Sequence, residues 1–284
     1  MNNHNHNATT SALHAPVLVL GGTGRTGRRI VEKLTALKVP VRVGSRGGNP
    51  AFDWTDRSTW LPALEGMQAV YIAYQPDLAV PGAPDDIFNL VQLAATAGIK
   101  KLVLLSGRGE KEAQECEQLV ISSGIDYTIL RCSWFFQNFS ESFFQEPLKA
   151  GLLALPAGDV KEPFVDADDI AAVAVAAFTE EGHSNKLYEI TGPRLLSFRE
   201  VTLEIAAATG RDIRFQDLSI DEYAAMLAEY QVPEDHIRLI IYLFAEVLDG
   251  RNASLTHGVQ QALNRNPVDF SSFIQRTLPS GVWS

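Results

Sequence analysis

The sequence predicts an α/β fold, a doubly wound parallel sheet with a smaller, mostly helical C-terminal lobe. Three observations predict it. Short apolar runs alternate with helical patterns from Pro16 to about Arg131. The first run, Val17 to Leu20, opens directly into a glycine-rich turn, Gly21-Gly22-Thr23-Gly24-Arg25-Thr26-Gly27. Beyond about residue 132 the alternation loosens. Strands that alternate with helices imply parallel βαβ units with right-handed crossovers.

Each element has its own signal. Residues 17–20 are continuously apolar, as in a strand buried on both faces. Ile30, Val31, Leu34 and Leu37 then recur at helical spacing, and Val39, Val41 and Val43 alternate as a second strand. A short third strand is expected just before Asp53. Residues 69–73, 101–105 and 127–130 read as further strands. Helices are expected over 87–94, closed by Gly98, and over 114–121, closed by Gly124. In the second half, residues 170–178 read as a helix and 187–190 as a strand. Ser197 with Glu200, and Ser219 with Glu222, have capping-box spacing, and Pro233 suits a helix start. Residues 1–15 read as a disordered leader, with His4 and His6 solvated. Residues 16–284 read as one domain, with a core over 16–132 and a lobe over 133–284 interleaved with the last strands.

Composition narrows the function. A net charge of −10 over 284 residues argues against nucleic acid as the main partner, because phosphate neutralisation needs a basic surface. No apolar run is long enough to span a membrane. The two cysteines, Cys116 and Cys132, lack metal or dithiol spacing, so no metal site is expected and a reducing cytoplasm is the simplest location. Asp166, Asp168 and Asp169 most simply cap the helix that follows them.

The turn at residues 21–27 carries the chemistry. Glycine there permits a tight turn, lets backbone approach a pyrophosphate and lets the helix pack on the strand. The helix N-terminus then offers amides and a positive dipole end to the phosphates. Its placement between a buried strand and an amphipathic helix makes this a Rossmann dinucleotide site. An NAD site usually carries Asp or Glu at the end of the second strand. Here Ser45 and Arg46 stand there, which suits a 2′-phosphate. Five arginines and two lysines face one acid, Glu32, between Val17 and Pro50. NADP(H) is therefore the expected cofactor, with NAD(H) possible, and Arg25 and Arg46 are the expected phosphate ligands. Asp53, with Trp54 after it, could cap its own turn. Tyr74 and Gln75 are placed at the ribose.

The Gly-x-x-Gly-x-x-Gly form resembles the short-chain dehydrogenase/reductase superfamily. The run Ser123-Gly124-Ile125-Asp126-Tyr127-Thr128-Ile129-Leu130-Arg131, with Ser133-Trp134-Phe135-Phe136-Gln137-Asn138-Phe139 beyond it, resembles the atypical NmrA-like branch. Residues 164–170 and 188–193 add to that likeness. The branch includes NADP-sensing regulators, quinone oxidoreductases, triphenylmethane dye reductases and ergot-alkaloid dehydrogenases. The resemblance implies cofactor contacts at Ser106 and Gly107, and an adenine contact at Asp53 and Trp54 as the equal alternative to turn capping by Asp53. It also implies that Glu117 follows the usual catalytic Lys position by four residues. Counting back puts Ala113 at that Lys position and Gly109 at the usual Tyr position, so both acid-pair groups are absent and no catalytic residue is assigned. Hydride transfer without that acid favours acceptors already activated by charge or conjugation, such as a quinone, an iminium or a dye.

Trp134, Phe135, Phe136, Phe139, Phe143 and Phe144 crowd the stretch after the last core strand. Ligands of doubly wound sheets bind beyond the carboxyl ends of the strands, which makes Trp134, Phe135 and Phe139 the candidate substrate contacts. The expected partner is thus a small aromatic or conjugated molecule, bound by a monomer or homodimer. The alternative function is a non-catalytic sensor of NADP(H) or NAD(H).

Overall fold

A computed structural model describes residues 15–284. The leader, with His4 and His6, lies outside the described residues apart from its last position. The chain forms two compact units. The first comprises the described chain to Gly107 with Lys111–Arg131 and Ile170–Tyr188, and the second comprises Arg108–Glu110, Cys132–Asp169 and Glu189–Ser284.

The first unit holds the main sheet. Its early elements are β1 (Val17–Leu20), α1 (Arg25–Ala36), β2 (Val41–Gly44), α2 (Trp60–Leu64), β3 (Ala69–Ile72), α3 (Ala83–Thr96), β4 (Lys101–Gly107) and α4 (Lys111–Ile121). β5 (Asp126–Cys132) follows. β1 runs parallel to β2 and β3, and β3 runs parallel to β4, with Val17 in register with both Val41 and Ala69. All four residues of β1 and of β3 are buried, which explains their unbroken apolar sequence. Leu18, Leu20, Val70, Ile72, Leu102 and Leu104 form one apolar face, covered by Trp60, Ile87, Leu90, Cys116 and Val120. Gly98 and Gly124 both have left-handed backbone just past a helix, where glycine avoids the Cβ penalty.

The remaining elements are α5 (Gln145–Ala150), β6 (Leu152–Leu155), β7 (Lys161–Glu162), α6 (Ala167–Thr179), β8 (Lys186–Ile190), β9 (Leu196–Ser197), α7 (Phe198–Thr209) and β10 (Arg214–Asp217). They continue with α8 (Ile220–Glu229), α9 (Glu234–Tyr242), α10 (Gly258–Leu263) and α11 (Phe270–Thr277). The six-stranded sheet has the order β2-β1-β3-β4-β5-β8, so the chain reverses direction across the sheet between β1 and β3. β6 pairs with β10, and β7 pairs with β9, as two small separate sheets. Both capping boxes form as the spacing predicts, at Ser197 with Glu200 and at Ser219 with Glu222. Pro233 stands at the N-cap of α9.

Two expectations need correction. No strand forms directly before Asp53. The amide of Phe52 donates to the Ser45 carbonyl, the Asp53 amide donates to Thr59 Oγ1, and the Asp53 carbonyl accepts from Trp60 Nε1 at 2.7 Å. Those backbone groups are spent on a local turn, and only an isolated bridge joins Asp53 to Asp56. The expected helix over 170–178 begins earlier, at Ala167. Asp166 caps it, accepting from the Asp168 amide, whereas Asp169 lies inside the helix and holds the Val268 amide and Arg265.

Aromatic packing organises the second unit. Phe139 is fully buried, with the rings of Phe144, Phe164, Phe198 and Phe270 centred 5.5 to 6.0 Å away. Its carbonyl accepts from Trp283 Nε1 at 2.7 Å. Phe139→Ala is expected to cost about 3–5 kcal/mol, the range for emptying a buried aromatic site. Urea denaturation checks this, and a loss under about 1 kcal/mol contradicts the packing described.

Candidate dinucleotide site and a buried carboxyl cluster

Four close approaches shape the turn after β1. Gly21 has φ +65°, and its amide donates to the Gly44 carbonyl at the end of β2. The Gly24 amide donates back to the Gly21 carbonyl at 2.8 Å, closing the turn. A Cβ on Gly22 would lie 2.9 Å from both the Val19 carbonyl oxygen and Val43 Cγ1. A Cβ on Gly27 would lie 2.1 Å from the Gly21 carbonyl oxygen, which no side chain tolerates. The start of α1 is thereby held against the strand end.

Gly24 is the N-cap of α1, so no side chain closes the first turn, and that turn contains no acid. Such a terminus is built to take an anion from outside the chain. Thr26 is buried and its hydroxyl accepts from the Tyr71 hydroxyl at 2.9 Å, so the side chain fastens helix to sheet. Thr23 is exposed. Ser45 and Arg46 follow β2, and Arg46 is exposed and close enough to stabilise the Asp53 carboxylate.

Asp53 is drawn below the usual carboxylate range, chiefly because its Oδ1 accepts from the Thr55 amide, and then from the Thr55 hydroxyl. The structure therefore shows the turn-capping role directly. Trp54 is half-buried; its Nε1 donates to the Ala73 carbonyl, and its ring centre lies 4.7 Å from that of Tyr74. Tyr74 donates to Asp86 Oδ2 at 2.8 Å, and burial with that carboxylate pushes its hydroxyl pKa upward. Asp86 also binds Arg57. Gln75 is exposed in the next turn. The Gly21 turn, Trp54 and Tyr74 thus gather around the carboxyl ends of β1 and β3, where the strand order reverses. That reversal is the ligand-binding position of doubly wound sheets.

Ser106 and Gly107 end β4. Ser106 Oγ donates to Glu117 Oε1 at 2.6 Å, and Arg131 pairs with the same carboxylate through Nε and Nη2. Glu117 has no exposed surface. This trio ties β4, α4 and β5 together, and the Ser106 hydroxyl proton is committed to it. Ala113 is fully buried on α4.

In the second unit, Trp134 is half-buried against Phe198 and Phe244, with ring centres 5.4 and 5.3 Å away. Phe135 is half-buried and its backbone bridges to Val165. Asn252 fills the space over Gly109: a Cβ there would lie 2.3 Å from Asn252 Nδ2. Asn252 also donates to the Arg108 carbonyl, while Arg108 binds the carbonyls of Asn252 and Ser254.

Glu162 carries no functional signal in the sequence. Fully buried in β7, its Oε2 accepts from the Ser133 hydroxyl at 3.0 Å. Desolvation pushes its pKa from 4.5 to about 7. Nothing in Lys161-Glu162-Pro163 marks that acid as buried, because the neighbours that bury it are distant in sequence. Among the described residues no group of three or more His, Cys, Asp or Glu is arranged to hold a metal ion. No helix among them is long and apolar enough to cross a membrane. Both cysteines are buried and form no disulfide.

Residues 21–181 match a protein family described as NAD(P)H-binding. The chain belongs to that family. Agroclavine dehydrogenase of Claviceps fusiformis is 30% identical over 285 residues, covering 94% of this chain and 98% of that one. NAD(P)H azoreductase of Xenophilus azovorans is 30% identical over 281 residues, covering 90% and 96%. Among solved structures, an NADPH-dependent quinone oxidoreductase of Escherichia coli complexed with NADPH superposes with a TM-score of 0.75. It is 21% identical, covering 92% of this chain and 99% of that one, which shows a shared fold. Membership agrees with the NmrA-like resemblance and with the cofactor class expected from the glycine turn.

Two outcomes follow from the geometry. Alanine favours a helix over glycine by up to about 1 kcal/mol, but at Gly27 the carbonyl clash dominates. Gly27→Ala is expected to lower stability and weaken NADPH binding at least about tenfold, measured by denaturation and calorimetric titration. A variant more stable than wild type contradicts the close approach. Glu162 keeps its proton in the folded state between pH 4.5 and about 7 while the unfolded chain releases it. Its contribution to stability is therefore lost as pH rises through that window. Glu162→Gln should flatten the decline in denaturation free energy between pH 5 and 8; an unchanged slope assigns the decline elsewhere.

Proposed function

We propose that this chain is an NAD(P)H-dependent oxidoreductase that transfers hydride to a conjugated or charged acceptor, a quinone, iminium or dye-like aromatic, with NADPH preferred. The observation that carries this reading is the state of positions 109 and 113. Gly109 has left-handed backbone and its side-chain space is filled by Asn252, and Ala113 is buried. If these are the superfamily's Tyr and Lys positions, the usual proton-donating pair has no place to stand. An unactivated ketone would then leave an alkoxide without its customary acid. An acceptor activated by charge or conjugation asks only for positioning and exclusion of water.

Within this reading the turn at Gly21–Gly27 holds the pyrophosphate through backbone amides, with Arg25 beside it. Ser45 and Arg46 bind the 2′-phosphate. Trp54, Tyr74 and Gln75 border the adenosine, and Asp53 shapes the turn that presents Trp54. The bound nicotinamide supplies the hydride. Ser106 and Gly107 end the strand beside it, with Ser106 held by Glu117. Trp134 and Phe135 form an aromatic wall for a flat acceptor, whereas Phe139 supports that wall from within the core. The names of the two relatives, a dehydrogenase and an azoreductase, support an activated nitrogen or conjugated acceptor.

NADPH is expected to bind at least about tenfold more tightly than NADH, and Arg46→Ala to remove most of that preference, since one charge-assisted phosphate contact contributes roughly 1.5–3 kcal/mol. Calorimetric titration of both nucleotides checks this; equal affinities in wild type contradict it. Tight binding without turnover across quinones, dyes and imines would instead establish the sensor.

A further inference from the structure

The second unit holds a cavity that the hydride-transfer reading does not use. Its volume is about 440 Å³, which is the size of a small-molecule site. Every residue that lines it falls between Gly192 and Asp269, so it belongs to the second unit alone. Neither Trp134 nor Phe135 lines it.

The frame of the cavity is pinned by backbone packing. A Cβ on Gly192 would lie 2.0 Å from the Phe164 carbonyl oxygen. A Cβ on Gly258, which opens α10, would lie 2.1 Å from the Glu189 carbonyl oxygen. The Thr256 amide donates to Thr191 Oγ1 at 3.0 Å, and the Thr256 hydroxyl donates to the Glu189 carbonyl. Asp269 caps α11, accepting from the Ser271 amide. These contacts spend the polar groups of the frame on the fold itself and leave its shape preformed.

Three other polar side chains on the lining are not spent. Gln260 Oε1 is buried and has no hydrogen-bond partner among the described residues. His257 and Asn266 are exposed, and their side chains make no hydrogen bond or ion pair among the described residues. A buried acceptor without a partner is rare and costly in a native chain. The charge beside them is already engaged. Both oxygens of Asp269 accept from Arg194, and Oδ1 also accepts from Ser271. Arg194 is shared with Glu204, so one cation answers two carboxylates and the group keeps one net negative charge. An anion is therefore repelled, and a cation finds no free carboxylate. Pro193, Leu255 and Pro267 supply apolar lining, with Leu255 48% exposed.

We propose that this cavity binds a neutral, flat amide or lactam, a ring that carries an N–H beside a C=O. The carboxamides of Gln260 and Asn266 each offer a donor and an acceptor in one plane, which is the complement of such an edge. The terminal torsion of glutamine is broad and two-fold, so the Gln260 amide can turn its unpaired oxygen to the ligand N–H. The ring of the ligand lies on Pro193, Leu255 and Pro267. The site is separate in its residues from the hydride-transfer reading and needs no turnover.

The test is calorimetric titration of the full chain without dinucleotide. The neutral probe is 1-isoquinolone, and the charged probes of similar size are 1-naphthoate and 1-naphthylmethylammonium. The lactam is expected to bind with Kd below about 1 mM, and each charged probe at least about tenfold more weakly. Gln260→Met and Asn266→Ala are each expected to weaken lactam binding at least about tenfold, as loss of a ligand hydrogen bond does. The urea midpoint of Gln260→Met should not fall, because the substitution removes an acceptor that nothing pairs with. Should Gln260→Met fail to fold, Asn266→Ala, at an exposed position, decides the matter. Folded wild type that takes up no lactam, a charged probe that binds as tightly, or lactam affinity that survives the substitutions overturns the site. None of these results bears on NADPH binding or hydride transfer.

Discussion

Gly27 lies so close to the Gly21 carbonyl that a single methyl group would overlap it, at 2.1 Å. That approach sets where α1 begins, and the start of α1 sets where its unsatisfied amides point. The rest of the first unit braces this contact. The Gly44 carbonyl fixes the turn to β2, and the Tyr71 hydroxyl fixes Thr26 to β3. An N-cap without a side chain and a first turn without acids leave the helix end to an outside anion. On the proposed reading, dinucleotide binding is a consequence of backbone packing more than of any one side chain.

The same economy marks the buried charges. Glu117 is wholly enclosed, yet it is answered by both Ser106 and Arg131. Removing one partner of such a pair is costly, because the other is left charged and dry. Glu162 is equally enclosed but answered on one oxygen only. These two buried glutamates therefore differ in kind: the paired one joins strands to a helix, and the half-paired one is pushed toward its neutral form by desolvation. The distinction rests on partners rather than on depth.

Local signals were the most legible in the sequence. Capping boxes at Ser197 and Ser219, the stop at Gly98 and the turn at Gly21 each depend on residues within a few positions. The strand expected before Asp53 does not form, for the converse reason. Its backbone is claimed by Thr59, Trp60 and Ser45, and no periodicity announces that competition. The helix expected over 170–178 forms but begins earlier, at Ala167, because its cap, Asp166, is fixed by Gln137 and Arg276 from far along the chain. The aromatic stretch shows the limit most sharply. Phe139 and Phe143 look alike in sequence, yet the first is enclosed by four rings and the second is 54% exposed. Glu162 and Asn252 were invisible for the same reason, since distant segments define them both.

A crystal structure of the chain with NADPH tests the central claim most directly. The account predicts the pyrophosphate against the backbone amides of residues 22–27, at the mouth of α1. A nucleotide bound elsewhere, with that turn facing only water, would contradict it.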